Sequence, residues 1–559
     1  MANETLSNFT NQKFQTYENE IYGTKDAIEI VWSLVATAMI FFMQSGFALV
    51  EVGSVRLKNA QSILIKNLCD SAIGCIGFWL VGYAFAFGNV HYFIGFDPKY
   101  FASSGFSEME TDNYKWWIFQ YSFAATSATI VSGALAERCQ LATYLCFSFL
   151  MTSFIYPVVV SWIWAEKSWG NGWLKQLGFI DFAGSGVVHM VGGVCAVWGA
   201  KILGERYGKE KLRRVQQQIK EGNLEDVDHY VGSAGRNSIH WEDHEFQQVL
   251  KHVKGDYQEA FKEWISVQQP EFRAHNPALI VTGTLLLWVC WLFFNGGSAA
   301  MFSERRNAPA KVIMCNVISA AAGGLFAVFF KPRICRTYSF VSQYDPGTIC
   351  NGIIVGLVSC TASCDKIEVW SAFLIGTIGS TFYSVGCLLL QKFNIDDPLE
   401  ASAVHLGGGT WGVLAVAFFN NEVGLFYNGT LGIKQLGFQL LGAASIALWV
   451  TAITLPFFLL MKRLDLLRVP KEIEVVGLDI SELGGVSEEV YSKLRKDFNF
   501  LTPNASAVQS FRAKRSMLND DARNSLNRND NETGSDEGPT MVYSKKLGAG
   551  HEVGRFKYE

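Results

Sequence analysis

The feature that most constrains this chain is a recurring run of about 18–25 residues with few or no charges, the length a helix needs to cross a hydrocarbon core of about 30 Å. A backbone in lipid must satisfy its own hydrogen bonds, so runs of this kind fold as helices. Eleven spans are expected, at residues 28–50, 62–87, 116–135, 141–163, 185–203, 277–296, 310–329, 347–360, 369–390, 399–419 and 436–461. The eighth is short and interrupted by glycine. Length alone, 559 residues, would suggest several soluble domains, but only 18% of them are charged. The expected fold class is an all-α polytopic membrane protein.

Positive charge orients it, because loops rich in Lys and Arg stay on the cytoplasmic side. Arg56 and Lys58, Arg138, the cluster from Lys209 to Arg214, Lys331 and Arg333, Lys392, and Lys462 with Arg463 all follow odd-numbered spans. The N-terminus is therefore expected outside and the long C-terminus inside, in the cell membrane. Sequons at Asn8 and Asn428 fall on the outer face and are candidate glycosylation sites; those at Asn504 and Asn531 fall inside. A polar N-terminus up to Asp26 offers no basic-then-apolar leader. A net charge of -4 gives no electrostatic footprint for nucleic acid. The 12 cysteines lie almost all in apolar stretches without a CxxC pair, so they read as small hydrophobes, and neither a metal site nor a cofactor is expected.

These readings divide the chain into four parts. Residues 1–27 form an extracellular segment, 28–462 the membrane domain, 205–275 a cytoplasmic insertion between spans 5 and 6, and 463–559 a cytoplasmic tail. The insertion mixes acids and bases with helix-forming runs, compatible with a helical insertion or a solvated loop. Beyond Ser516 the tail is rich in Asn, Ser and Asp and reads as disordered.

Span 5 opens with Asp181-Phe-Ala-Gly-Ser-Gly-Val-Val-His189 and span 10 with Asp397-Pro-Leu-Glu-Ala-Ser-Ala-Val-His405. Each has an Asp, seven residues, Val-His and then a glycine pair. The matching elements are five spans apart, and an odd offset inverts one half relative to the other. A five-plus-five inverted repeat with its site near the midplane follows, a frequent transporter construction. Of nine histidines only His189 and His405 fall within spans, at the repeated position. An ionisable group at membrane depth faces a cavity or a partner. The pair is either a structural lock between two helices or a pore lining that donates, accepts and relays a proton. Asp181 and Asp397 can cap their helices by accepting from free N–H groups; Asp181 could also lend negative potential to an outer cation entrance.

Span 6 carries Trp288, Trp291, Phe293 and Phe294 directly before Asn295-Gly296-Gly297-Ser298. Ring faces attract a cation and a hydroxyl accepts from its N–H donors, so this cluster suits a cation site. Trp162 and Trp164 close span 4 at the same level. Lys66 and Asp70, four apart in span 2, are expected to pair, and Glu51 is expected at the interface.

Together, DFAGSGVVHMVGG, SGALAER, WLFFNGGSAA and DDPLEASAVHLGGGTWG closely resemble the ammonium transporter family (Amt/Mep/Rh), nearer its Amt branch, from span 1 to about Gly485. The resemblance implies an outer ammonium site of Phe119, Trp164 and Ser298 supported by Asp181. It also implies a gate of Phe119 stacked on Phe294, with Trp291, His189 and His405 lining the pore beneath. A central pore in each subunit of a homotrimer, with ammonium or ammonia (and methylammonium) as substrate and no enzymatic activity, is expected on the same ground. An ammonium sensor signalling through the insertion and tail, with cytoplasmic regulators, is the alternative. Ser481, after Gly477-Leu-Asp-Ile, stands where relatives carry a phosphorylatable residue; it could equally cap a short helix. The long insertion and the extended tail depart from the family pattern.

Overall fold

A computed structural model of the chain describes residues 2–109, 113–165, 169–209, 272, 274–299, 308–335 and 345–483. All belong to one compact unit, Met1–Arg495; a second, Lys496–Glu559, lies outside the described residues. Most of the insertion and the end of the tail lie outside them too, so the expectations for those segments have no counterpart below.

Helices stand at each of the eleven expected positions: α1 Ala2–Ser54, α2 Leu57–Phe87, α3 Asn113–Ala134, α4 Leu141–Ile163, α5 Ser185–Leu203, α6 Pro277–Gly296, α7 Ala308–Cys335, α8 Pro346–Cys360, α9 Val369–Lys392, α10 Ala403–Phe419 and α11 Gly429–Arg463. Among the described residues, eight are long and apolar enough to cross a membrane; α8 and α10 are shorter apolar helices. The helix α3 is more polar because it runs through the middle of the bundle. Residues from Phe119 to Ala134 are all buried. Their hydroxyls fold back onto the preceding turn, Thr126 onto Ser122 O at 2.9 Å and Ser127 onto Ala124 O at 2.8 Å. A side chain bonded to its own helix costs little to bury.

Residues 1–27 share one helix with the first span, because α1 runs unbroken from Ala2 to Ser54. Nothing in that stretch stops it: it contains no proline, and Gln, Lys and Glu are good helix formers.

Helices α5 and α10 cross at the centre. Each begins in a wider, π-helical turn that holds its histidine, Ser185–Met190 in one and Ala403–Gly407 in the other. Four residues after each histidine a glycine meets the opposite backbone. A Cβ on Gly193 would lie 2.3 Å from Leu406 N, and one on Gly409 would lie 2.6 Å from Ser185 O. No larger residue fits at either place, and this close approach brings the histidines together. Beyond Arg463, short helices α12 (Lys471–Val476) and α13 (Leu478–Leu483) fold back under α2.

Candidate functional site

The site is built from the start of α5. The Asp181 carboxylate accepts from the backbone N–H of Gly184 at 3.0 Å, Gly186 at 2.9 Å and Val187 at 2.9 Å. It is thus a buried cap; its main-chain oxygen accepts from Trp164 Nε1 at 2.8 Å and fixes that ring. Asp397 repeats the arrangement before α10, accepting from Ser402 N at 2.7 Å and Ser402 Oγ at 2.6 Å. These caps hold the turns that present the two imidazoles.

His189 and His405 face each other, Nδ1 to Nδ1, at 3.3 Å, with their rings stacked at 5.2 Å. Trp291 stacks on His189 at 4.9 Å, and its indole N–H donates to Thr361 Oγ1 at 3.2 Å. Phe47 of α1 borders His405 at 6.2 Å. His189 Nε2 is buried and finds no partner among the described residues. Neither of the two expected readings excludes the other here, since a helix lock and a pore lining need the same contact.

Above His189 the structure revises the aromatic pairing. The ring packed on Phe294 is that of Phe123, at 4.4 Å. Phe119 lies one turn earlier on α3 and packs on Phe123 at 5.0 Å and on Trp116 at 6.0 Å, so it cannot be the partner of Phe294. Both phenylalanines belong to the run Phe119-Gln-Tyr-Ser-Phe123, and residues four apart share a helix face. Sequence spacing alone therefore could not tell which ring reaches α6. Trp164 meets Phe123 edge-on at 5.8 Å. Ser298 Oγ donates to Phe294 O at 2.9 Å, which leaves its lone pairs for an incoming donor.

Two further expectations change. Glu51 is 2% exposed rather than interfacial, and accepts from Asn67 Nδ2 at 2.9 Å and Ser132 Oγ at 2.7 Å. Lys66 makes no salt bridge to Asp70 among the described residues but meets it at electrostatic range; it donates to Ser132 O at 3.2 Å and lies over the Tyr144 ring at 4.3 Å, while Asp70 accepts from Ser148. A ring face and a carbonyl can serve a buried ammonium as a carboxylate would.

At the end of the bundle where α12 and α13 dock lies an ion-pair belt that the sequence reading missed. Glu137 accepts from Arg56 and from Arg206 Nη1 at 2.8 Å. Asp396 accepts from Arg206 Nε at 2.8 Å and Lys209 Nζ at 2.5 Å. Burial opposes the charged form of Asp396, but Arg206, Arg138 and Lys209 together outweigh it and hold the carboxyl well below its ordinary range. The same contest, won by Arg206 and Arg56, lowers Glu137. The tail plugs into this belt: Arg468 pairs with Glu474 at 2.8 Å, and Asp479 caps α2 through Gln61 N at 2.9 Å and Ser62 N at 2.7 Å. Ser481 is no N-terminal cap, because its hydroxyl donates back to Gly477 O at 2.8 Å. Asn428 caps α11 through Leu431 N at 3.3 Å and is exposed; Asn8 lies on α1. No group of three or more potential metal ligands occurs among the described residues.

The model of a family described as "Ammonium Transporter Family" matches residues 31–225 and 260–488. The chain is similar to "Ammonium transporter 3" of Dictyostelium discoideum, 34% identical over 494 residues, covering 86% of this chain and 97% of that protein. "Ammonium transporter 1 member 3" of Solanum lycopersicum is 32% identical, covering 82% and 93%. Among solved structures, that of a "Sensor Amt Protein" aligns with a TM-score of 0.65 and 31% identity, over 82% of this chain and 99% of that one. Mep2 of Candida albicans shares the fold, with a TM-score of 0.60 and 24% identity over 79% of this chain and 86% of its own.

Proposed function

Since the chain belongs to the ammonium transporter family and moves ammonium across a membrane, we propose that its path runs from Trp164 and Ser298, with Phe119 on the rim, between the rings of Phe123 and Phe294, and along Trp291, His189 and His405. The chemistry follows from what distinguishes ammonium from K⁺. Both are small monovalent cations, and an apolar passage cannot replace the hydration shell of either. Only ammonium donates hydrogen bonds and can lose a proton. Ring faces and Ser298 hold the cation at the mouth. Neutral ammonia then crosses the apolar stretch along the imidazole edges, and the facing nitrogens of the two histidines give the proton a route beside it.

The observation that carries this reading is the 3.3 Å His189–His405 contact directly beneath the Phe123–Phe294 pair. Asp181 acts through Trp164, as the residue that positions the outer ring. We extend the reading to eleven crossings in a homotrimer at the plasma membrane, with N-terminus outside, tail inside, and glycans at Asn8 and Asn428. The regulatory part is the tail: phosphate on Ser481 would add a charge of about -1.5 to -2 beside Asp479, whose carboxylate caps α2. A sensor role is favoured by one observation, the 31% identity to a protein named as a sensor; the insertion and tail would then carry the signal to cytoplasmic regulators.

Uptake of labelled methylammonium by cells lacking their own transporters tests the reading. Saturable uptake competed by ammonium is expected. Ammonium-dependent signalling without any uptake would overturn transport in favour of sensing.

A further inference from the structure

Past His405, on the side away from the aromatic mouth, the bundle holds a partly open cavity of about 30 Å³. His405 and Phe47 line it, and so do three oxygen-bearing side chains: Glu51, Thr129 and Asn351. A single small polar species needs roughly 10–15 Å³ of such space, so one ammonium-sized guest fits.

The bonding of Glu51 is lopsided. Asn67 and Ser132 both donate to Oε2. Among the described residues nothing donates to Oε1. The amide of Asn351 is committed as a donor, to Leu399 O at 3.0 Å and to Tyr383 and Glu400 at 3.3 Å, which leaves its oxygen as an acceptor. Thr129 donates its proton to Asn67 Oδ1 at 2.9 Å and likewise keeps its lone pairs. Lys66, buried in the same layer, donates to Ser132 O and lies over the Tyr144 ring; its charge attracts Glu51 without a hydrogen bond to it among the described residues, so Oε1 stays open. The cavity thus presents acceptors and one carboxyl group, the complement of a small cation with several N–H donors.

A structural role accounts for Oε2 alone. Holding Asn67 and Ser132 needs one accepting oxygen, which a glutamine would supply equally well. The charge of Glu51 is compensated by the buried Lys66 ammonium at electrostatic range, but the second carboxyl oxygen has no donor among the described residues and lies at the cavity, and that role does not account for it.

We propose that Glu51, Thr129 and Asn351 form a second ammonium site, at the end of the pore opposite Trp164 and Ser298, where the cation is held as it leaves or enters from the side on which the tail docks. The proposal rests on the transport reading above. It makes the pore two-ended: an aromatic site sets apparent affinity at one mouth and a carboxylate site sets it at the other.

The decisive variant is Glu51→Gln, which can keep both bonds at the accepting oxygen while turning the cavity-facing atom from an acceptor into a donor. Full-length wild type and E51Q are expressed in the same transporter-deficient cells, and methylammonium influx and efflux are measured over a range of concentrations, with thermal unfolding of the purified proteins alongside. E51Q should raise the half-saturation for efflux by roughly tenfold, as expected when a charged acceptor is lost, and leave that for influx and the melting temperature unchanged. Glu51→Asp, which keeps the charge, should fall between the two and serves as the test if E51Q folds poorly. Equal half-saturation in both directions for E51Q and wild type, or an equal shift in both directions, would overturn the site. Absence of flux in wild type would instead overturn the transport reading, and this site with it.

Discussion

The pore and the belt beneath it both bury ionisable side chains, and they do so in opposite ways. In the belt every acid is met by arginine or lysine: Glu137 by Arg56 and Arg206, Asp396 by Arg206 and Lys209. In the pore, among the described residues, the two imidazoles stack on each other and on aromatic rings and pair with no charged side chain. A buried charge with partners fixes structure, whereas an ionisable group in an apolar passage without a counter-charge stays available to a guest. Burial alone therefore does not mark a functional residue; the kind of neighbour does.

This contrast breaks most visibly at Arg206. Arg206→Ala leaves Glu137 and Asp396 short of their shared partner, and stranding buried charges costs about 3–5 kcal/mol. A large fall in melting temperature is expected in purified protein; a variant as stable as wild type would put the belt among decorative contacts. The reverse effect is expected at the mouth of the pore. Trp164→Leu and Ser298→Ala should each weaken half-saturation for influx by roughly twofold to thirtyfold, from about 0.5–2 kcal/mol of ring–cation attraction. Melting should not change. Unaltered half-saturation in the double variant would remove both residues from the site.

Smaller effects sharpen the comparison at the tail. Ser481→Asp, beside the Asp479 cap, should lower transport about twofold to fivefold by loosening a contact of about 0.5–1 kcal/mol at the start of α2, at equal surface abundance. Normal transport in Ser481→Asp would leave Ser481 without a regulatory part. Acid should do less still. Asp396 and Glu137 have lowered folded-state values, so their stabilisation is present above the ordinary carboxylate range, about 4, and is lost only as pH falls through the lower folded values. Protection factors for hydrogen exchange in residues 471–483, each corrected for the intrinsic rate at its pH, should therefore be the same at about pH 5 as at about pH 7. Release of the tail near pH 5 would contradict the pairing.

What could be read from the sequence follows the same division. The helices were legible because lipid imposes a length and an apolar composition on each, and α4, α5 and α6 start and stop where their apolar runs do. The histidine pair was legible because the repeat places Asp181 and Asp397 at equal distances before it. Other features needed the fold. Phe119 and Phe123 present the same spacing pattern, and only the crossing of α3 with α6 selects Phe123 for Phe294. Glu137, Arg206 and Asp396 are 69 and 190 positions apart along the chain, so no local pattern announces their contact. Glu51 looked interfacial because it sits near a helix end, and its burial depends on Asn67 and Ser132 of neighbouring helices.

The central claim is that conduction passes along the paired imidazoles, and the most direct measurement is methylammonium flux through purified His189→Ala in vesicles, read together with its melting temperature. The account predicts flux reduced by tenfold or more, a barrier change of about 1.4 kcal/mol upward, with the melting temperature within a few degrees of wild type. Flux equal to wild type in a well-folded His189→Ala protein would contradict it.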